Sequence, residues 1–236
     1  MQEQFLRLEM LLGSPAMERV SAAHVAIFGI GGVGSWCAEA LARSGIGTLT
    51  LIDHDDIGMT NLNRQVEALH STIGIPKVQA MAERILDIAP HCLVHPRMER
   101  YSAETREDFF STSYDYIVDA IDLVSCKLDL IETALSREIP IISALGTGNK
   151  LDGSQFCVTD ISKTIACPLA RIIRKELSKR GIRHHKVVFS PELPIASEQS
   201  ETPPPGRRSV PASAPWVPPI AGFLLAGEVI QTLATH

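Results

Sequence analysis

The chain has 236 residues, 45% of them apolar, enough for one sizeable core or for one domain with an appendage. A net charge of -5 excludes a global basic field directed at nucleic acid and leaves only a local patch to look for. Cys37, Cys92, Cys126, Cys157 and Cys167 never form a C-x-x-C pair, which speaks against a zinc knuckle or disulfide scaffold and for a reducing cytoplasm.

Residues 2–12 carry Phe5, Leu8, Leu11 and Leu12 in a helical rhythm that could share one face, with Arg7 off it as a solvated charge. Gly13-Ser14-Pro15 ends that segment and opens a second short helix reaching Val20. Nothing from Met1 to Leu8 resembles a signal-peptide core.

Val25 to Phe28 reads as a buried strand, followed by Gly29-Ile30-Gly31-Gly32-Val33-Gly34 and a helix from Ser35 to Arg43. Gly45 and Gly47 stop that helix, and Thr48 to Ile52 forms a second strand ending at Asp53. This strand, glycine turn, helix, strand and acid form the fingerprint of a dinucleotide-type phosphate site. Gly29 permits the tight turn, Gly31 lets backbone approach a phosphate, and Gly34 packs the helix on the strand. The first-turn N–H groups and the helix dipole then favour an anion, while Asp53, 19 residues after Gly34, suits a ribose. Taken alone, the motif most naturally suggests NAD.

The polar segment from Asp55 to Gln65 follows directly, at the edge of the sheet where ligands bind. Asn61, Asn63, Arg64 and Gln65 form a set of donors suited to phosphates. Lys77 opens a helix bearing Val78, Met81, Ile85 and Ile88; there it is either a surface lysine or the partner of an anion that offsets the dipole. Leu93 to Pro96 is a third strand, and residues 103–110 form a short acidic helix.

Tyr114 to Asp122 reads as a buried strand closed by Asp122, with a helix from Lys127 to Arg137 after it. Asp122 is either the cap of that helix or a carboxylate for Mg²⁺ bridging triphosphate oxygens. Strands at Ile139–Ala144 and Phe156–Asp160 complete an α/β pattern: a Rossmann-like, doubly wound, mostly parallel sheet with helices on both faces.

Cys167-Pro168 opens a basic helix stopped by Gly181. Arg171, Arg174, Lys175 and Lys179 make it either a solvated face or a landing strip for a polyanion such as RNA. Cys167 is a structural cysteine or, at a helix N-terminus, a reactive thiol. Val187 to Ser190 is a late strand. Residues 191–219 hold nine of the fifteen prolines and read as a mobile loop, and residues 220–236 form an apolar helix packing back on the domain or on a second subunit. No apolar run reaches the roughly 18 residues of a membrane span. A soluble, cytoplasmic protein is expected.

The glycine turn, Asp53, Thr60-Asn61-Leu62-Asn63-Arg64-Gln65, Lys77 and Asp122, in this order, resemble the ThiF/MoeB/HesA family, bacterial relatives of ubiquitin-activating enzymes. The likeness spans residues 2–190, which makes 1–190 an ATP-binding adenylating domain. Ala40 to Gly47, Asp119-Ala120-Ile121-Asp122, Lys163-Thr164 and Pro168-Leu169-Ala170 are most similar to the tRNA threonylcarbamoyladenosine dehydratase branch. The resemblance implies ATP with Mg²⁺, activation of a carboxylate as its adenylate, and tRNA as substrate. Under it Arg64 and Lys77 neutralise phosphates, Asp122 holds Mg²⁺, Asp53 binds ribose and Asn61 positions the triphosphate.

Gly29, Gly31, Gly32, Gly34 and Asn63 complete the implied nucleotide site. Arg7 matches an arginine that reaches the partner subunit's ATP site, implying a homodimer. The alternatives are an adenylyltransferase acting on a ubiquitin-like sulfur-carrier protein, with a sulfur-relay partner, and an NAD-binding oxidoreductase. The first is disfavoured by the missing zinc cysteines, the second by Arg64, Lys77 and Asp122 together.

Overall fold

The computed structural model describes residues 3–196, 198 and 210–235. A 3-10 turn at Glu3–Phe5 leads into α1 (Leu6–Leu12) and α2 (Ser14–Ala22), and β1 (His24–Phe28) runs through the glycine turn into α3 (Gly34–Arg43). Next come β2 (Thr48–Ile52), α4 (Lys77–Ile88), β3 (Leu93–Arg97), α5 (Arg106–Phe109) and β4 (Tyr116–Asp119). The chain continues through α6 (Val124–Ser136), β5 (Ile141–Ala144), β6 (Cys157–Asp160), α7 (Pro168–Lys179), β7 (Lys186–Phe189) and α8 (Val217–Thr235).

The seven strands lie in the order β3-β2-β1-β4-β5-β7-β6, all parallel except the antiparallel β6–β7 pair. This is the expected doubly wound sheet. Alternation along each strand divides the core into two layers. Val25 and Ile27 of β1, with Leu49, Leu51 and Val118, face α3, α4 and α8. Ala26 and Phe28, with Ile117, Val187 and Phe189, face α6, α7 and Phe109. Pro96, which lacks a donor for a further ladder, sits on the edge strand β3.

Three boundaries differ from the sequence expectation. β4 stops at Asp119, so Asp122 lies in the following loop rather than closing the strand. Leu11 is 81% exposed, so α1 does not bury the full face read from its periodicity. α8 begins at Val217, with Pro218 and Pro219 in its first turn, where missing N–H groups cost nothing.

At 19 residues and mean hydropathy 1.4, α8 is long and apolar enough to cross a membrane, contrary to the expectation of a shorter helix. Its apolar residues are nonetheless used internally. It packs on α3 and α2, with Phe223 edge-on to Trp36 at 5.7 Å, and the Arg19 guanidinium donates to the Ala234 carbonyl.

The described parts of the proline-rich stretch are tied to the domain. Ile195 N–H donates to Asn149 O, Ala212 N–H to Asn149 Oδ1 and Trp216 Nε1 to Leu151 O. The rest of that expected mobile loop, residues 197 and 199–209, lies outside the described residues.

Candidate nucleotide site

β1 and β4 are neighbours whose connections leave in opposite directions across the sheet, which makes the gap beyond their C-terminal ends the switch point where open sheets bind ligands. Gly29 closes β1 with φ +92°, and a β-carbon there would meet the Ala120 carbonyl oxygen at 2.8 Å. The turns after β1 and β4 therefore touch backbone to backbone. Around Gly31 the nearest atom to an added β-carbon is Gln65 Nε2 at 3.8 Å, so this position remains open to an approaching group.

Asp53 stands beside the turn as expected, and it also holds the turn's shape. Its Oδ2 accepts the Ile30 N–H at 2.7 Å and its Oδ1 accepts the Asp55 N–H at 3.0 Å. Lys77 is 6% exposed, so it is no surface lysine. Its ammonium meets Asp55 Oδ2 at 2.8 Å, and the anion anticipated at this helix N-terminus is thus provided by the chain itself.

The Asn61–Gln65 segment folds onto the glycine turn. Asn61 Oδ1 accepts the Gly58 N–H at 3.0 Å and shapes the loop. Arg64 donates to Thr60 O and to Asn63 Oδ1, both at 2.9 Å, while its own carbonyl accepts from Trp36 Nε1. The aliphatic stem of Arg64 lies 3.2 Å from the β-position of Gly32. Asn63 Nδ2 reaches Ser213 O at 2.9 Å, and an open cavity of about 650 Å³ lies between Met59–Arg64 and Val210–Ser213.

Asp122 is exposed in the loop after β4. The cap position of α6 belongs to Leu123, with no side-chain cap, so Asp122 is not the helix cap. Asp53, Arg64 and the Asp122 loop are therefore gathered around the glycine turn, with Lys77 joined to the same edge through Asp55.

Arg7 is not part of this gathering. Phe5 packs 3.3 Å from the β-position of Gly45 and edge-on to His91, just before β2 and β3, at the opposite end of the strands. Arg7 is exposed nearby on α1.

The basic helix α7 is less uniform than its sequence. Arg174 donates to Thr164 O and Oγ1, Lys179 pairs with Glu176, and Arg180 pairs with Glu132 and Glu176. Arg171 and Lys175 remain exposed. Cys167 is buried, and its Sγ accepts the Ala170 N–H at 3.5 Å, the behaviour of a structural cap. All five cysteines are free thiols.

Glu67 was not singled out by the sequence. It is 2% exposed, and neither carboxylate oxygen has a hydrogen-bond partner among the described residues. Burial pushes its carboxyl up to about 7, and the attraction of the Lys77 ammonium offsets this only in part. Its position two residues after Gln65 was the available signal, but only the fold reveals that the side chain turns inward.

Family comparison accords with this geometry. The ThiF family model matches residues 4–236. The chain is 42% identical to the tRNA threonylcarbamoyladenosine dehydratase of Bacillus subtilis, over 99% of this chain and 95% of the relative. It superposes with TM-score 0.89 and 36% identity on the Escherichia coli tRNA N6-threonylcarbamoyladenosine dehydratase crystallised with ATP, covering 99% of this chain and 94% of that one. The molybdopterin-synthase adenylyltransferase of Salmonella typhimurium is more distant, at 29% identity over 58% of this chain and 53% of the relative. The glycine turn, the charges around it and a match running almost end to end lead to one conclusion: the chain belongs to the ThiF family.

Proposed function

We propose that the protein is an ATP-dependent tRNA threonylcarbamoyladenosine dehydratase. The observation that supports this reading is the placement of Asp53, Arg64 and the Asp122 loop around the glycine turn, with buried Lys77 tied to the same edge through Asp55. A triphosphate needs this concentration of cations, whereas a dinucleotide's diphosphate does not.

A carboxylate is a poor electrophile, so the reaction first converts it. One oxygen of the threonyl carboxylate attacks the α-phosphorus of ATP, pyrophosphate leaves with the electrons of the broken P–O bond, and an acyl-adenylate remains. Arg64 and Lys77 bind and orient the phosphates and offset charge as it develops on the leaving oxygens. The Asp53 carboxylate keeps acceptor capacity for the ribose beyond its two loop amides. The carbamoyl group then attacks the activated carbonyl intramolecularly, AMP departs, and the ring closes with net loss of water. No enzyme thiolate is required, in keeping with the capping role of Cys167.

An exposed carboxylate beside the glycine turn suits Mg²⁺, which uses one or two carboxylates together with phosphate oxygens and retained waters. Asp122 would hold the ion, which supplies charge neutralisation at the phosphates when bound. The protein works as a homodimer in the cytoplasm, where ATP and tRNA meet. Leu6, Met10 and Leu11 leave α1 with an apolar surface around Arg7 for the second subunit, and Arg7 reaches that subunit's nucleotide.

The test is AMP release from α-labelled ATP, with threonylcarbamoylated tRNA or a ubiquitin-like carrier protein as the added carboxylate. Stimulation by the tRNA is expected; stimulation by the carrier alone would overturn this reading in favour of a sulfur-carrier adenylyltransferase. Mixed dimers of Arg7→Ala and Asp122→Ala protomers should regain part of the activity each homodimer lacks, and no recovery would remove the shared-site role of Arg7.

A further inference from the structure

The loop that carries Asp122 is tethered by a buried ion pair. Asp119, the last residue of β4, and Lys127, in α6, both have fully buried side chains that meet at 2.6 Å. The Asp119 carboxylate is shared two ways. Oδ2 takes the Lys127 ammonium and Oδ1 takes the Ile121 N–H at 3.1 Å, with Ser143 of β5 close by. Ser143 Oγ lies 2.8 Å from His185 Nε2. His185 Nδ1 has no hydrogen-bond partner among the described residues.

A buried ion pair rarely justifies itself by stability, since desolvating two charges offsets their attraction and an apolar pair of similar volume often serves the core as well. What an apolar pair could not do here is accept the Ile121 amide. That bond shapes the turn at residues 120–122, whose first residue rests against Gly29. Asp119 thereby determines how far the Asp122 backbone stands from the glycine turn.

We propose that Asp119 is a positioning residue whose acceptor oxygen holds the Ala120–Asp122 turn at the distance from the glycine loop that nucleotide and metal binding require, with Lys127 neutralising its buried charge. The proposal rests on the reading of Asp122 given above. Lys127 compensates the buried carboxylate, and the acceptor at position 119 shapes the turn, so a neutral acceptor without the lysine should serve as well.

Two double variants test it: Asp119→Asn with Lys127→Met, which keeps an acceptor for the Ile121 amide, and Asp119→Val with Lys127→Met, which removes it. Two quantities are read: hydrogen exchange of the peptide containing residues 120–123 in the nucleotide-free dimer, and the Mg²⁺ concentration that half-saturates AMP formation. In the valine pair, exchange should quicken and the half-saturating Mg²⁺ should rise, each by about tenfold or more. The asparagine pair should stay within about threefold of wild type in both.

Wild-type exchange at this peptide should be slow; rapid exchange would overturn the proposal without any variant. So would a folded valine pair with unchanged exchange and Mg²⁺ response. If the valine pair does not fold, the asparagine pair decides, and rapid exchange in that folded protein sinks the idea. Asp122→Ala separates the two levels: intact AMP formation would remove the reading of Asp122, whereas its loss beside an unimpaired valine pair would remove only the positioning role.

Discussion

A β-carbon on Gly34 would lie 1.8 Å from the carbonyl oxygen of Gly29. The obstruction is backbone, at the junction of β1 and α3, and no rotamer change relieves it. Gly34→Ala should therefore displace the first turn of α3 and cost about 3 kcal/mol or more, in the range of severe overpacking. Chemical denaturation checks the stability, and loss of ATP binding should accompany it even under conditions where the variant is folded. A variant with wild-type stability and nucleotide affinity would contradict the close packing.

Lys77 combines burial with an ion pair to a carboxylate that is itself 53% exposed. Lys77→Met keeps most of the stem's volume, and Asp55 is half exposed and keeps His54 at 3.5 Å, so its stability cost should stay below about 1 kcal/mol. AMP formation should fall by about 100- to 1000-fold, the scale for loss of one charge-stabilising donor. A small kinetic effect with a large loss of stability would make Lys77 a structural residue.

Glu67 supplies a pH test with a definite sign. Its carboxyl is raised from 4.5 to about 7 by burial, so the folded chain binds more protons than the unfolded chain between those values. Its contribution to stability therefore falls as pH rises through that window, and the full cost is present above about pH 7. Glu67→Gln should match wild type near pH 4 and exceed it at pH 8 by about 2–3 kcal/mol. Denaturation at a series of pH values measures this, and a constant difference between the two proteins would refute the buried titration.

Arg171, Lys175 and Lys179 of the α7 stripe are exposed, but Lys179 pairs with Glu176 and Arg174 is held by Thr164, which leaves the first two for a polyanion. Reversing the first two to Glu should weaken tRNA binding. Its salt dependence should fall by about one log–log slope unit for each phosphate that is no longer neutralised. ATP binding should not change. Unchanged tRNA affinity at low salt would assign the stripe to solvation.

Much of this molecule was legible in one dimension because its signals are local. The short apolar runs of Val25–Phe28 and Thr48–Ile52, the glycine turn between them and the acid at Asp53 require only neighbouring residues to specify a strand–turn–helix–strand unit. Arg64 stood out by its place after the second strand, at the ligand-binding edge, whereas Lys77 and Asp122 stayed open between a bland and a chemical role until the family resemblance was drawn.

What only the tertiary structure decided is the partner of each charge. Lys77 finds Asp55 across 22 positions, Asp119 finds Lys127 across eight, and Glu67 finds no hydrogen-bond partner among the described residues. Leu123, not Asp122, takes the cap position. α8 carries apolar residues that suit a bilayer or a core equally, and its packing on α2 and α3 buries 56% of its apolar stretch within the domain. Periodicity records which face of an element is apolar; strand order and helix placement determine what that face meets, and with it which charges are neutralised.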